Sequence, residues 1–173
     1  MRQLAKTSEK QIRRTDTILW IISLLTILPF VGVGIIYSKT FINIWYLVVF
    51  GLVSGLILGL TTYKKIKDYS NQELKNHITF CVFVFGVLLN YGLLWINYNF
   101  PRHEIKTYDS RIIEYAMSNR RGSSVLTIEF AGIIKDIRMP IEDYKLLKEK
   151  GYVTITVDKG LLGIYIIVDK KIL

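Results

Sequence analysis

The chain has 173 residues, 51% of them hydrophobic, and carries 23 Lys and Arg against 14 Asp and Glu for a net charge of +9. A mean hydropathy of +0.32 is high for a water-soluble fold. The apolar residues crowd into the first hundred positions, which divides the chain into a membrane part and a small soluble part. The basic excess flanks the apolar segments instead of forming one stripe, so it is not a nucleic-acid footprint.

Residues 1–17 form a basic tail with Arg2, Lys6, Lys10, Arg13 and Arg14, in which Ser8-x-x-Gln11 reads as a capping box opening a short helix. Residues 18–37, 41–62 and 78–96 contain no Asp, Glu, Lys, Arg or His, and at about 20 residues each they suffice to cross roughly 30 Å of hydrocarbon. Three transmembrane helices are therefore predicted, over about 18–37, 41–62 and 78–98, in a membrane domain of residues 18–100. The first is too long for a removable signal segment and is expected to stay as an anchor. Pro29 removes an intrahelical hydrogen bond near its centre and should kink it. Ser38-Lys39-Thr40 leaves room only for a tight turn, which makes the first two helices an antiparallel hairpin. Tyr37, Trp45 and Tyr46, with Trp95 and Tyr98 on the third helix, would then form an interfacial aromatic belt.

The distribution of charge sets the orientation. The tail and the loop carrying Lys64, Lys65, Lys67 and Lys75 together hold nine basic residues, whereas the first loop holds only Lys39. By the positive-inside rule the tail and second loop are cytoplasmic, and the C-terminal segment is outside. The expected setting on this reading is a bacterial cytoplasmic membrane. Ser70-x-x-Glu73 would start the third helix in water, with His77 a solvated residue at the boundary.

The second helix carries Gly51, Gly55 and Gly59 at intervals of four, a glycine zipper that exposes backbone along one face. On the third helix Val82, Gly86 and Asn90 recur at the same interval. Counting from Thr62 and Ile78 puts Gly59 level with Val82, Gly55 with Gly86 and Gly51 with Asn90, so two faces of small residues are expected to meet, with Asn90 bonding to backbone beside Gly51.

After Pro101 the periodicity becomes that of strands. Strands are expected over 105–117, 125–130, 133–139, 152–157 and 162–168, with Asn119-Arg-Arg-Gly-Ser123 and Asp158-Lys-Gly160 as turns. Pro140 opens a helix over 141–150, with acids in its first turn, lysines in its last and Gly151 as the stop; Ile141, Tyr144 and Leu147 would face the sheet. The fold class is thus an α+β membrane protein, three transmembrane helices followed by a β-β-β-α-β-β domain over residues 101–173. The arrangement resembles that of small bacterial inner-membrane proteins that carry a compact β domain after their helices, a likeness of architecture that implies no functional residue.

Nothing has the spacing of a nucleotide cradle, a zinc site, a nucleophile elbow or a catalytic carboxylate pair, so no catalytic residue, cofactor or metal is expected. Cys81 stands alone, which excludes an intrachain disulfide. The absence of ionisable groups inside the three segments argues against transport. Arg120 and Arg121, at a hairpin tip, are candidates for contact with lipid headgroups or an acidic partner. The expected partners are the bilayer and a second protein or a second copy of this chain, with no nucleic acid. Two functions follow. One is a non-enzymatic protein presenting its β domain for interaction, as an accessory subunit of an envelope complex or an immunity-type protein. The alternative is a membrane-interface enzyme, using residues such as His103, Glu104 or Asp109, or a lipid-binding protein, with a site between the helices and the β domain.

Overall fold

The computed structural model describes residues 2–67, 73–118, 123–140 and 151–171. Among these the helices are α1 (Arg2–Leu25), α2 (Ile27–Ser38), α3 (Ile44–Ile66) and α4 (Leu74–Asn99). The strands are β1 (Thr40–Phe41), β2 (Lys106–Ser118), β3 (Ser123–Phe130), β4 (Ile133–Pro140), β5 (Tyr152–Lys159) and β6 (Tyr165–Lys171). Three helical stretches, Arg14–Ser38, Ile44–Ile66 and Leu74–Asn99, are long and apolar enough to cross a membrane. The helix expected over 141–150, with Leu147, lies outside the described residues, as do Ser70, Arg120 and Arg121.

The chain forms two compact units, a helical one of residues 1–34 and 44–93 and a β unit of residues 35–43 and 94–173. In the helical unit, α1 already begins at Arg2, so Ser8 is interior to a helix and not at its start. The first apolar stretch breaks three residues before Pro29. Proline has no N–H to offer the carbonyl of Leu25 and its ring crowds that oxygen, so α1 ends there. The ladder resumes at once, with the Phe30 amide donating to Thr26 O at 3.0 Å. Ser23 and Thr26 turn their hydroxyls back onto Leu19 O and Ile22 O, a habit that bends helices.

The β unit contains a six-stranded antiparallel sheet in the order β1-β6-β5-β2-β3-β4. Its first strand is a correction. The connection after α2 is not a bare tight turn but enters the sheet, Thr40 and Phe41 pairing with Ile166 and Tyr165, so α3 starts at Ile44 and not at 41. Two residues are too short to show a period of two, which is why the sequence hid them. Asp158 and Lys159 likewise belong to β5, and the reversal falls at residues 160–164. Between β3 and β4, Ala131 and Gly132 both take positive φ (51° and 74°). Two left-handed residues make the hairpin turn whose twist matches the strands, with Phe130 facing Ile133.

Alternation then builds the core. Leu126, Ile128 and Phe130 of β3, Ile137 and Met139 of β4, and Val153, Ile155 and Val157 of β5 point inward around Phe41. Each fully buried aliphatic chain contributes about 1.5–3 kcal/mol. Phe41 of β1 lies against Phe130 of β3, ring centroids 4.6 Å apart, so the sheet curls until its first strand reaches its far end, nearly closing a barrel.

Candidate functional site

In the helical unit the glycines of α3 are buried. A Cβ on Gly55 would lie 2.9 Å from Val82 N and nearer still to Val82 Cα; on Gly51 it would meet Asn90 Nδ2 at 2.9 Å and Gly86 Cα at 3.6 Å; on Gly59 it would meet Ile78 Cα at 3.1 Å. Backbone thus packs on backbone, as small residues permit. The pairing is one helical turn away from the count made above: Gly59 faces Ile78, Gly55 faces Val82 and Gly51 faces Gly86. Helical side chains lean toward their own N-terminus, so Asn90, one turn beyond Gly86, drops its amide beside Gly51 and donates to Leu47 O at 2.9 Å.

At the other end of the same helix pair, His77 is 1% exposed, which corrects its reading as a solvated residue. Thr62 Oγ1 lies 2.9 Å from His77 Nε2, and Cys81 Sγ lies 3.6 Å from it. Thr62 spends its single hydrogen on Leu58 O at 2.6 Å, so it accepts from His77, and the Nε2–H tautomer is assigned from this network. An imidazole already protonated on the nitrogen facing the thiol cannot take its proton, so Cys81 is not activated as a nucleophile. The three residues are a polar clasp. The signal was the four-residue spacing from His77 to Cys81, which puts both on one helix face.

In the β unit, Lys135 occupies an inward position between Ile133 and Ile137 and is 6% exposed. Its ammonium donates to the carbonyls of Tyr37 and Thr40 and lies 4.1 Å from the Tyr37 ring centroid. A cation thus meets carbonyls at the C-terminal end of α2, where the helix dipole favours positive charge, and a ring face adds to the attraction. Burial still pushes the amine down to about 8. Lys135 therefore ties β4, one edge of the sheet, to β1, the other. Strand alternation through 133, 135, 137 and 139 was the signal for it.

The end of α4 is held just as specifically. Asn97 donates to Ile164 O at 3.1 Å and accepts from Leu162 N at 3.0 Å, using both halves of its amide. Gly160 leaves the space for it, since a Cβ there would overlap Asn97. Arg102 bonds Leu161 O through its guanidinium and Lys159 O through its backbone, both at 2.8 Å.

The outer face of the sheet has two characters. Asp109 accepts from Thr154 and Asp136 from Thr127, each at 2.7 Å, which satisfies Asp109 in a cross-strand bond; His103 and Glu104 stand exposed before β2. Beside this polar ladder Arg111 pairs with Tyr152, and Glu129 with Ile134. Arg111 adjoins Ile112, whose partner Ile128 adjoins Glu129, so the four side chains form one row across β5, β2, β3 and β4. Ile134 is 65% exposed, Tyr152 58% and Ile113, two residues from Arg111, 51%. No protein-family model, curated protein or solved structure matches this chain.

Proposed function

We propose that this chain is an integral protein of a bacterial cytoplasmic membrane and a non-enzymatic interaction module. Its three apolar stretches cross the bilayer, with the basic tail and the segment around Lys64, Lys65, Lys67 and Lys75 inside and the β unit outside. The β unit presents the surface around Ile113, Ile134 and Tyr152 to a protein partner, as an accessory subunit of an envelope complex or an immunity-type protein does.

One observation carries the reading. Large apolar side chains stand on the outward face of strands whose inward faces supply the core, and Arg111 and Glu129 are the cross-strand partners of two of them, Tyr152 and Ile134. An aromatic and two aliphatic groups beside an arginine and a glutamate have the composition of a binding surface. Extraction of the full chain in mild detergent should recover a stoichiometric protein partner, and Ile134→Asp should reduce that recovery at least tenfold while the β unit keeps its circular dichroism. Recovery without a partner, or equal recovery by Ile134→Asp, would remove the proposal.

A further inference from the structure

The helical unit contains a groove of about 310 Å³ between the α1–α2 break and α4. Ile27, Phe30, Phe80, Phe83, Val84 and Val87 line it. Three hydroxyls also reach it, but each is already committed: Ser23 to Leu19 O, Thr26 to Ile22 O and Thr79 to Lys75 O. The groove therefore offers mostly hydrocarbon and no free hydroxyl hydrogen, which disfavours a polar ligand inside it.

Its length and its charged end point to one occupant. On α4 the lining runs from Thr79 to Val87, about 12 Å at 1.5 Å per residue. Half of a roughly 30 Å hydrocarbon core is about 15 Å, so the groove follows most of one leaflet. Lys75 lies one turn before Thr79, and 75, 79, 83 and 87 share a helix face. An exposed ammonium thus stands in line with the groove where a headgroup would be. The same side of the chain holds nine Lys and Arg against four acids, Glu9, Asp16, Asp68 and Glu73.

We propose that this groove binds one acyl chain of an anionic phospholipid, with Lys75 contacting its phosphate. The inference rests on the membrane reading above, and flotation with vesicles separates the two. A chain that fails to float contradicts both; one that floats leaves only the lipid site in question. The floating chain, extracted and exposed to equal amounts of phosphatidylglycerol and phosphatidylcholine, is then weighed by native mass spectrometry. One retained lipid per chain is expected, with phosphatidylglycerol favoured about fivefold, the effect of roughly 1 kcal/mol per interfacial lysine. Thr79→Trp fills the groove from its exposed rim and should abolish retention, and Val87→Trp does the same from the other end. Lys75→Gln should keep the lipid but bring the preference close to one. Equal uptake of both lipids by the unaltered chain, retention unaffected by both tryptophans, or a lipid-free dimer dissolved by Thr79→Trp would overturn the proposal, the last by making a second copy the occupant.

Discussion

Replacing Gly55 by isoleucine is expected to destabilise the helical unit by about 3 kcal/mol or more. The new atoms would fall on Val82 Cα and N and on Cys81 O. These are backbone atoms of α4 and cannot rotate aside as a flexible side chain can. The helices must separate, which loosens the Gly51–Gly86 contact and the Asn90 bond to Leu47 with it. Gly92 is the control, since nothing lies within 4 Å of a Cβ there. Gly92→Ala should leave stability unchanged or raise it by up to about 1 kcal/mol, the helix-propensity gain. Thermal unfolding in detergent, followed by circular dichroism, measures both. A Gly55→Ile chain that melts with the unaltered one would mean that the two backbones do not meet.

Lys135→Met should cost the β unit about 2–4 kcal/mol. The substitution keeps the length and apolar stem but removes the donor shared by the Tyr37 and Thr40 carbonyls, and a buried group left unsatisfied costs about 1–3 kcal/mol. The pH response gives a second readout. The folded amine releases its proton near 8, while the unfolded one holds it to 10.5. Between those values the unfolded state binds more protons, so stability rises as pH rises from about 8 toward 10.5. The neutral amine still has two hydrogens for two carbonyls, so the closure survives the titration. Lys135→Met should abolish the rise; a variant with the stability and pH profile of the unaltered chain would show that the two sheet edges are not joined through this side chain.

Long regular patterns made most of the fold legible. The three apolar stretches, the glycines of α3 and the alternation through β3 and β4 each repeat often enough to declare a period. What stayed hidden depends on contacts distant in sequence. Thr40 and Phe41 are a strand only because β6 lies beside them. His77 is buried because Thr62 and Cys81 meet it, and Asn97 because Gly160 leaves it space. The glycine pairing missed by one turn because helix ends do not set register, whereas the lean of Asn90 does. The row of Arg111, Glu129, Ile134 and Tyr152 needed strand register, which no local pattern supplies.

Accessibility labelling tests the membrane reading most directly. In a Cys81→Ser background, single cysteines at Lys67 and at Asp136 are offered a membrane-impermeant maleimide in intact cells. Both positions are exposed. Asp136→Cys should react at once and Lys67→Cys only after permeabilisation, as the proposed orientation with its nine basic residues on the cytoplasmic side requires. Labelling of both positions from the same side, or of Lys67→Cys alone in intact cells, would contradict the account.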